Sequence, residues 1–369
     1  MNDKFNTENE DNMEKEKKSK IKKILVNLTI FILLIILTFS LVLKDQDVSQ
    51  IFSVAAKVKK QYILFAVLAM SIYILGEAVN ITRILKELGE KSKLISNIRY
   101  TLIGFFFSAI TPAASGGQPM EIYYMHKDDI SVANSTLALL MQLCSLQIVT
   151  ITVGTISAVI HFEVLKSGLI YLLILGIILN SSALMLLIIA IFSKRLSEGL
   201  IKFAVKLLKF FRIPNVEKKQ EKLEKELESY QTSAKYIKEH KILMLKTVIT
   251  TVVQMIAYYS VPYWIYLAFG LTEYNIFEIL TLQAVLYATV SGIPSPGAVG
   301  VSEGGFLGIF KNVFPETIIS SAMLLTRGAN FYLFIIISAI IVMISTFREK
   351  KIEKKQMQET EVLTEKSEK

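Results

Sequence analysis

Hydrophobic residues fall along this chain in long blocks with few or no charges, not in the short amphipathic repeats of a water-soluble core. The blocks occupy residues 24–43, 62–79, 132–160, 169–192, 247–269 and 328–347. Each is long enough, or nearly so, to cross a hydrocarbon layer of roughly 30 Å as a helix. Two further apolar arms, residues 100–110 and 280–293, amount to only about 16 and 21 Å of helix and are too short to cross. Each arm runs into a stretch crowded with Pro, Gly and small polar residues, SAITPAASGGQPME at 108–121 and SGIPSPGAVGVSEGG at 291–305. Paired interruptions of this kind, in corresponding parts of two halves, point to the binding site of a membrane carrier.

The placement of charge turns this pattern into a topology. Six lysines within residues 15–23 precede the first block, which sets the N-terminus in the cytoplasm by the positive-inside rule. The second block is followed by Arg83, Lys86, Lys91, Lys93 and Arg99, and the fourth by a loop, 193–240, loaded with Lys and Arg; both belong inside. The segment bearing Glu273 and Glu278 has no Lys or Arg and belongs outside, and Arg348, Lys350, Lys351, Lys354 and Lys355 return the chain inside. Counting crossings, the first break must enter and leave on the cytoplasmic side, and the second must dip in from outside. The expected fold is an all-α polytopic membrane protein with six spans and two re-entrant Pro/Gly-broken segments in an inverted repeat. Its parts are a cytoplasmic, disordered tail at 1–23, a transmembrane domain at 24–347 and a cytoplasmic tail at 348–369. The competing reading makes both breaks ordinary proline kinks in full spans, and it would turn the basic loop outward.

Backbone that leaves the helix at membrane depth exposes amide and carbonyl groups, which is tolerated only against protein or a water-filled cavity. Gly116 and Gly117 in the first break, and Gly297, Gly300, Gly304 and Gly305 in the second, permit positive φ and close approach of a ligand. Freed N–H groups ahead of a helix suit a phosphate. Thr111, Ser115, Gln118, Ser295 and Ser302 add neutral hydrogen-bonding groups. Glu121 and Glu303 follow the turns and are costly at depth, so each is a candidate for a cationic head group or a proton. The alternatives are that Glu303 pairs with Arg327 and that Glu121 sits at the interface. Arg327 is either an interfacial anchor, if its helix starts beside it, or a buried phosphate contact, if the helix starts near Thr317. Gln142, Gln147, Gln254 and Gln283 face the bundle, with helix-to-helix bonding as good an explanation as substrate contact.

Composition narrows the chemistry. Half of the 369 residues are hydrophobic (52%) and the net charge is +9. The single cysteine, Cys144, lies in an apolar block and rules out an intramolecular disulfide. His126, His161 and His240 have no metal-ligand spacing, and no cofactor or metal is expected. Residues 196–212 place Leu, Ile and Phe on one helical face and Lys202, Lys206, Lys209 and Arg212 on the other, the pattern of a helix lying on anionic inner-leaflet lipid. The following EKKQEKLEKELESY reads as a solvated charged helix. Lysines interleaved with glutamates make no single-sign patch, so nucleic-acid binding is not expected.

The two breaks, TPAASGGQPMEIYYM and IPSPGAVGVSEGGF, resemble the paired signature stretches of the lysylphosphatidylglycerol synthase transmembrane, or flippase-like, family, over about residues 24–347. That family includes the N-terminal membrane half of the bacterial multiple peptide resistance factor. The resemblance implies translocation of lysyl-phosphatidylglycerol, or another aminoacylated or anionic phospholipid, across the bacterial cytoplasmic membrane, contributing to resistance to cationic antimicrobial peptides. By motif, the residues carried over are Thr111, Pro112, Gly116, Gly117, Gln118, Pro119, Glu121, Pro294, Pro296, Gly297, Gly300, Glu303 and Arg327. Glu121 stands where similar proteins often have Gln, and Thr326 where an aromatic is usual. The alternatives are the membrane part of a phosphatidylglycerol lysyltransferase acting with a separate synthase partner, and a carrier of another lipid-linked intermediate. The resemblance implies a synthase activity only through such a partner, since no soluble stretch here is long enough for a catalytic domain. Homo-oligomer formation is compatible with the sequence.

Overall fold

A computed structural model describes residues 48–111, 114–162, 169–193, 216–293 and 295–348, with residues 29, 33, 195, 199 and 206 besides. Almost all of the first expected span at 24–43 and of the amphipathic stretch at 196–212, and all but Arg348 of the two tails, lie outside the described residues. Helix is the regular structure among the described residues, as expected where lipid offers the backbone no hydrogen bonds.

The helices are α1 (Val48–Ala56), α2 (Lys60–Glu87), α3 (Leu94–Ile110), α4 (Gly117–Lys127), α5 (Val132–Ile160), α6 (Leu169–Phe192), α7 (Val216–Glu239), α8 (Lys241–Tyr259), α9 (Val261–Ala268), α10 (Ile276–Val290), α11 (Val301–Ile309) and α12 (Ile319–Arg348). Five stretches among the described residues are long and apolar enough to cross a membrane: α2, α5, α6, the nearly continuous α8–α9 pair and α12. This is a multi-pass membrane protein. The apolar blocks at 132–160 and 169–192 coincide with α5 and α6. The last block starts earlier than its apolar residues suggest: α12 begins at Ile319, and Ser320, Ser321, Thr326 and Arg327 are buried within the protein.

Between the long helices sit two helical hairpins built from short helices. In the first, α3 packs along α4, and Asp128, just past α4, accepts hydrogen bonds from Arg99 and Tyr100 near the start of α3. In the second, α10 packs on α11, and the Tyr274 hydroxyl ahead of α10 donates to the Asn312 carbonyl past α11 at 3.0 Å. The open ends of each hairpin are thus tied together. Asn275 begins α10 with a capping box: its Oδ1 accepts from Phe277 and Glu278, and Glu278 accepts from the Asn275 N–H at 2.8 Å.

The core follows the same division. The two largest apolar clusters among the described residues are centred on Ile81, Leu85, Tyr100, Ile103, Met125 and Leu137 around the first hairpin and on Ile265, Tyr266, Leu282, Phe306, Phe310 and Met323 around the second, and two smaller ones are built on Met70 and Phe334 and on Met255 and Tyr259. Where α5 and α6 cross α10 the backbones approach closely: a Cβ on Gly154 would strike the Ala288 side chain, and one on Gly176 the Ala288 carbonyl.

Helix α7 runs on past the charged stretch at 217–230. Its C-terminal half does not stand free in solvent, because Tyr230, Ala234 and Ile237 form an apolar stripe at helical spacing that packs onto the bundle, with Ile237 fully buried. The Tyr230 hydroxyl donates to the Ala190 carbonyl at 2.9 Å, and Ser233 donates to Asn134 Oδ1 at 2.7 Å.

Candidate functional site

The tip of the first hairpin is closed from within. Helix α3 ends as Thr111 turns extended (φ −117°), and its hydroxyl donates to the Phe107 carbonyl at 2.6 Å while accepting from the Gly116 N–H at 2.9 Å. The freed N–H that was expected to meet a ligand is therefore already bonded. Neither Gly116 (φ −86°) nor Gly117 is left-handed; among the described residues of this tip positive φ falls on Ala114, at 53°. The two glycines matter for packing instead. A Cβ on Gly117 would strike Ser108 Oγ and come within 2.9 Å of the Gly104 carbonyl, and one on Gly104 would land on the Glu121 carboxylate. Small residues thus lay α4 on α3 and leave room for Glu121 between them.

At the second tip positive φ is used, at Gly297 (58°), Ala298 (52°) and Gly300 (87°), around a 3₁₀ turn over Pro296–Ala298. Gly304 and Gly305 are helical, and a Cβ on Gly305 would meet Leu286 at 2.6 Å. Glu303 is fully buried and fully engaged. Its Oε2 accepts from the Gly300 N–H at 2.7 Å, holding the helix start where a phosphate was expected, and its Oε1 accepts from Arg327 Nε at 2.7 Å and the Tyr332 hydroxyl at 3.2 Å. Arg327 also donates to the Gly297 carbonyl at 3.1 Å and lies over the Phe331 ring, 4.0 Å from its centroid. Of the two readings of Glu303 the structure has the ion pair. Arg327 is no interfacial anchor: it is buried inside α12, one residue ahead of a π-helical turn, Gly328–Tyr332.

Both tips open on one cavity of about 490 Å³. The first contributes Ala114, Ser115, Gln118 and Glu121, and the second Ser295, Gly297, Ala298 and Ser302; the Arg327 guanidinium lines it as well. The 3₁₀ turn packs directly against α3, so breaks far apart in sequence meet in space. Thr111, Gly116, Gly117, Pro296, Gly300 and Glu303 frame the tips without lining the cavity, Pro119 is exposed, and Pro112 and Pro294 lie outside the described residues.

Among the described residues, the charges lining this cavity do not balance. Glu121 is 3% exposed, and its Oε2 has no hydrogen-bond partner. A second carboxylate, Glu77 of α2, faces the same space with Tyr73, Tyr258 and Tyr287. Among the described residues lining it, the one guanidinium, that of Arg327, is already matched by Glu303. Thr101 and Thr150, both buried cavity residues, also have hydroxyls without partners. The cavity can therefore take a ligand that brings positive charge and hydrogen-bond donors.

Glu77 escaped the sequence reading although it sits inside an otherwise apolar block, which is itself the signal for a functional carboxylate. The glutamines divide. Gln142 reaches the cavity but is held in a buried ladder, accepting from Asn80 Nδ2 at 2.8 Å and donating to Gln254 Oε1 at 3.3 Å, with Asn80 also donating to Thr251 at 3.0 Å. Arg83 anchors the ladder through Asn80 Oδ1 and Thr250. Gln147 lines the cavity; Gln254 and Gln283 do not.

Comparison with known proteins relates the chain to a family and to a curated relative. The family described as lysylphosphatidylglycerol synthase TM region matches residues 24–338. A UPF0104 membrane protein of Archaeoglobus fulgidus is 24% identical over 276 residues, covering 71% of this chain and 80% of that protein.

Proposed function

The chain belongs to the lysylphosphatidylglycerol synthase TM region family, and on that premise we propose that it carries an amine-bearing phospholipid between the leaflets of a cytoplasmic membrane. The observation behind this reading is Glu121, a buried carboxylate without a partner in a cavity that both Pro/Gly breaks line. The ammonium of the head group meets Glu121 and Glu77. Its phosphate meets the cavity edge of Arg327 and the hydroxyl and amide groups of Ser115, Gln118, Ser295 and Ser302. The acyl chains remain in the bilayer. Lysyl-phosphatidylglycerol has this combination of charges, and its export would blunt cationic antimicrobial peptides.

In this reading the two hairpins are re-entrant, entering from opposite faces as halves of an inverted repeat, with six spans and both termini cytoplasmic. Their short helices support it: α4 and α11, at 11 and 9 residues, measure about 16 and 14 Å, near half the hydrocarbon thickness. The tied hairpin ends support it too. Residues 196–212 rest on anionic inner-leaflet lipid, and a separate lipid-modifying synthase would supply the substrate.

The test is reconstitution of the purified chain in liposomes, following leaflet exchange of fluorescent lysyl-phosphatidylglycerol and phosphatidylglycerol. Exchange of the lysyl lipid in preference to phosphatidylglycerol, lost in Glu121→Gln, is the expected result. No exchange of either lipid, with lysyl lipid formed once a soluble synthase and charged tRNA are added, would overturn the carrier reading in favour of a synthase subunit.

A further inference from the structure

An orphan carboxylate at membrane depth raises the question of what neutralises it after the lipid has left. Glu121 is buried between α3 and α5, the helices packed against α4, and no Lys or Arg from either reaches the cavity; Arg99 of α3 is taken by Asp128 at the far end of the hairpin. The other ionisable groups facing the cavity are Tyr73 and Glu77 of α2, Tyr258 of α8, Tyr287 of α10 and Arg327 of α12. Of these only Arg327 is a cation, and it is committed to Glu303. When the head group is present, its ammonium supplies the missing positive charge. When it departs, nothing in the described protein does, and closing the emptied cavity around a bare carboxylate beside a second one carries the full cost of unpaired charge in a membrane.

Resting on the carrier reading, we propose that the protein exchanges lipid for protons, Glu121 binding the substrate ammonium on the outward passage and a proton on the return, with Glu77 sharing the site. On the cytoplasmic side the Glu121 carboxylic acid releases its proton to water as the ammonium binds. On the outer side the ammonium leaves and the carboxylate takes a proton from water. No covalent bond to the lipid forms or breaks, and each cycle moves one lipid outward and at least one proton inward. The unpartnered hydroxyls of Thr101 and Thr150, with Ser108, Ser115 and Ser302, give the cavity the polar lining that a water-borne proton needs. The exchange supplies what a passive path lacks: the proton gradient of an energised membrane drives the lipid outward against its own concentration.

Proteoliposomes holding the full chain, a fluorescent lysyl-phosphatidylglycerol and a lumenal pH dye test this directly. Lipid movement several-fold faster under an imposed proton gradient than after its collapse by an ionophore, with a lumenal pH change that scales with lipid moved, is the expected result. Glu121→Gln should lose both signals together and Glu121→Asp should keep both, so that a variant that merely misfolds is told apart. Lipid moving at one rate with and without the gradient, and no pH change, would overturn exchange while leaving the carrier intact. Absence of lipid movement under every condition would take down the carrier reading and the exchange with it.

Discussion

Glu303 and Arg327 share one buried hydrogen bond in the interior of a membrane protein, where either charge alone would be prohibitive. Truncating one member of a buried pair strands the other and costs roughly 3–5 kcal/mol, whereas removing both can cost much less. Arg327→Ala should therefore lower the thermal midpoint of the detergent-purified protein strongly, and adding Glu303→Ala should recover much of the loss; a double variant no better than the single would show that the pair is not the stabilising unit. Gly104 supports a different expectation. A methyl group there would occupy the space of the Glu121 carboxylate, at a cost of about 1–3 kcal/mol if the helices shift to fit it. Gly104→Ala should express and remain folded yet lose lipid exchange, because it displaces the carboxylate from the cavity. At this scale the sequence pointed to Glu121, Glu303 and Arg327 as the expensive residues, but whether each was paired depended on neighbours that only the fold supplies. Glu77 was equally visible and was passed over because the hydrophobicity of its block drowned a single charge. The glycines of the first tip misled for a related reason. Glycine signals either left-handed backbone or close approach, and composition does not say which; at 116 and 117 it is close approach.

Element lengths were legible wherever lipid alone decides them. Helix α6 has the bounds of its apolar block because it has a wide lipid-facing surface, with Tyr171, Met185 and Leu186 well exposed; α5 keeps the bounds of its block although nearly half of it is buried, because the polar residues it carries inward are scattered among apolar ones and none is charged. Lengths were misread where a helix faces protein. The first two turns of α12 carry Ser320, Ser321 and Thr326 inward, so hydropathy hides a segment that is fully helical. The two hairpins lead to a sided prediction. His126, exposed near the end of α4, and Lys311, exposed just past α11, mark the open ends of the first and second hairpin. In a Cys144→Ala background, His126→Cys should react with a membrane-impermeant thiol reagent only from the cytoplasmic side and Lys311→Cys only from outside. Labelling of both from one face would contradict the inverted arrangement and favour two kinked spans.

At the scale of the whole molecule, the two largest apolar clusters among the described residues are each built around a hairpin, and the cavity lies where the two hairpin tips meet. Nothing in the sequence revealed that the two breaks would meet; pairing of distant turns is a property of how α3 packs on the Pro296–Ala298 turn. The account therefore stands or falls on one cavity with two walls. The most direct measurement is lysyl-phosphatidylglycerol exchange in proteoliposomes bearing a bulky residue on either wall, Ser115→Trp from the first tip or Ser302→Trp from the second, beside an exposed control, Tyr171→Trp on α6. Both wall variants should block exchange to the same extent while the control exchanges like the wild type. Exchange persisting in either wall variant would contradict a shared head-group cavity.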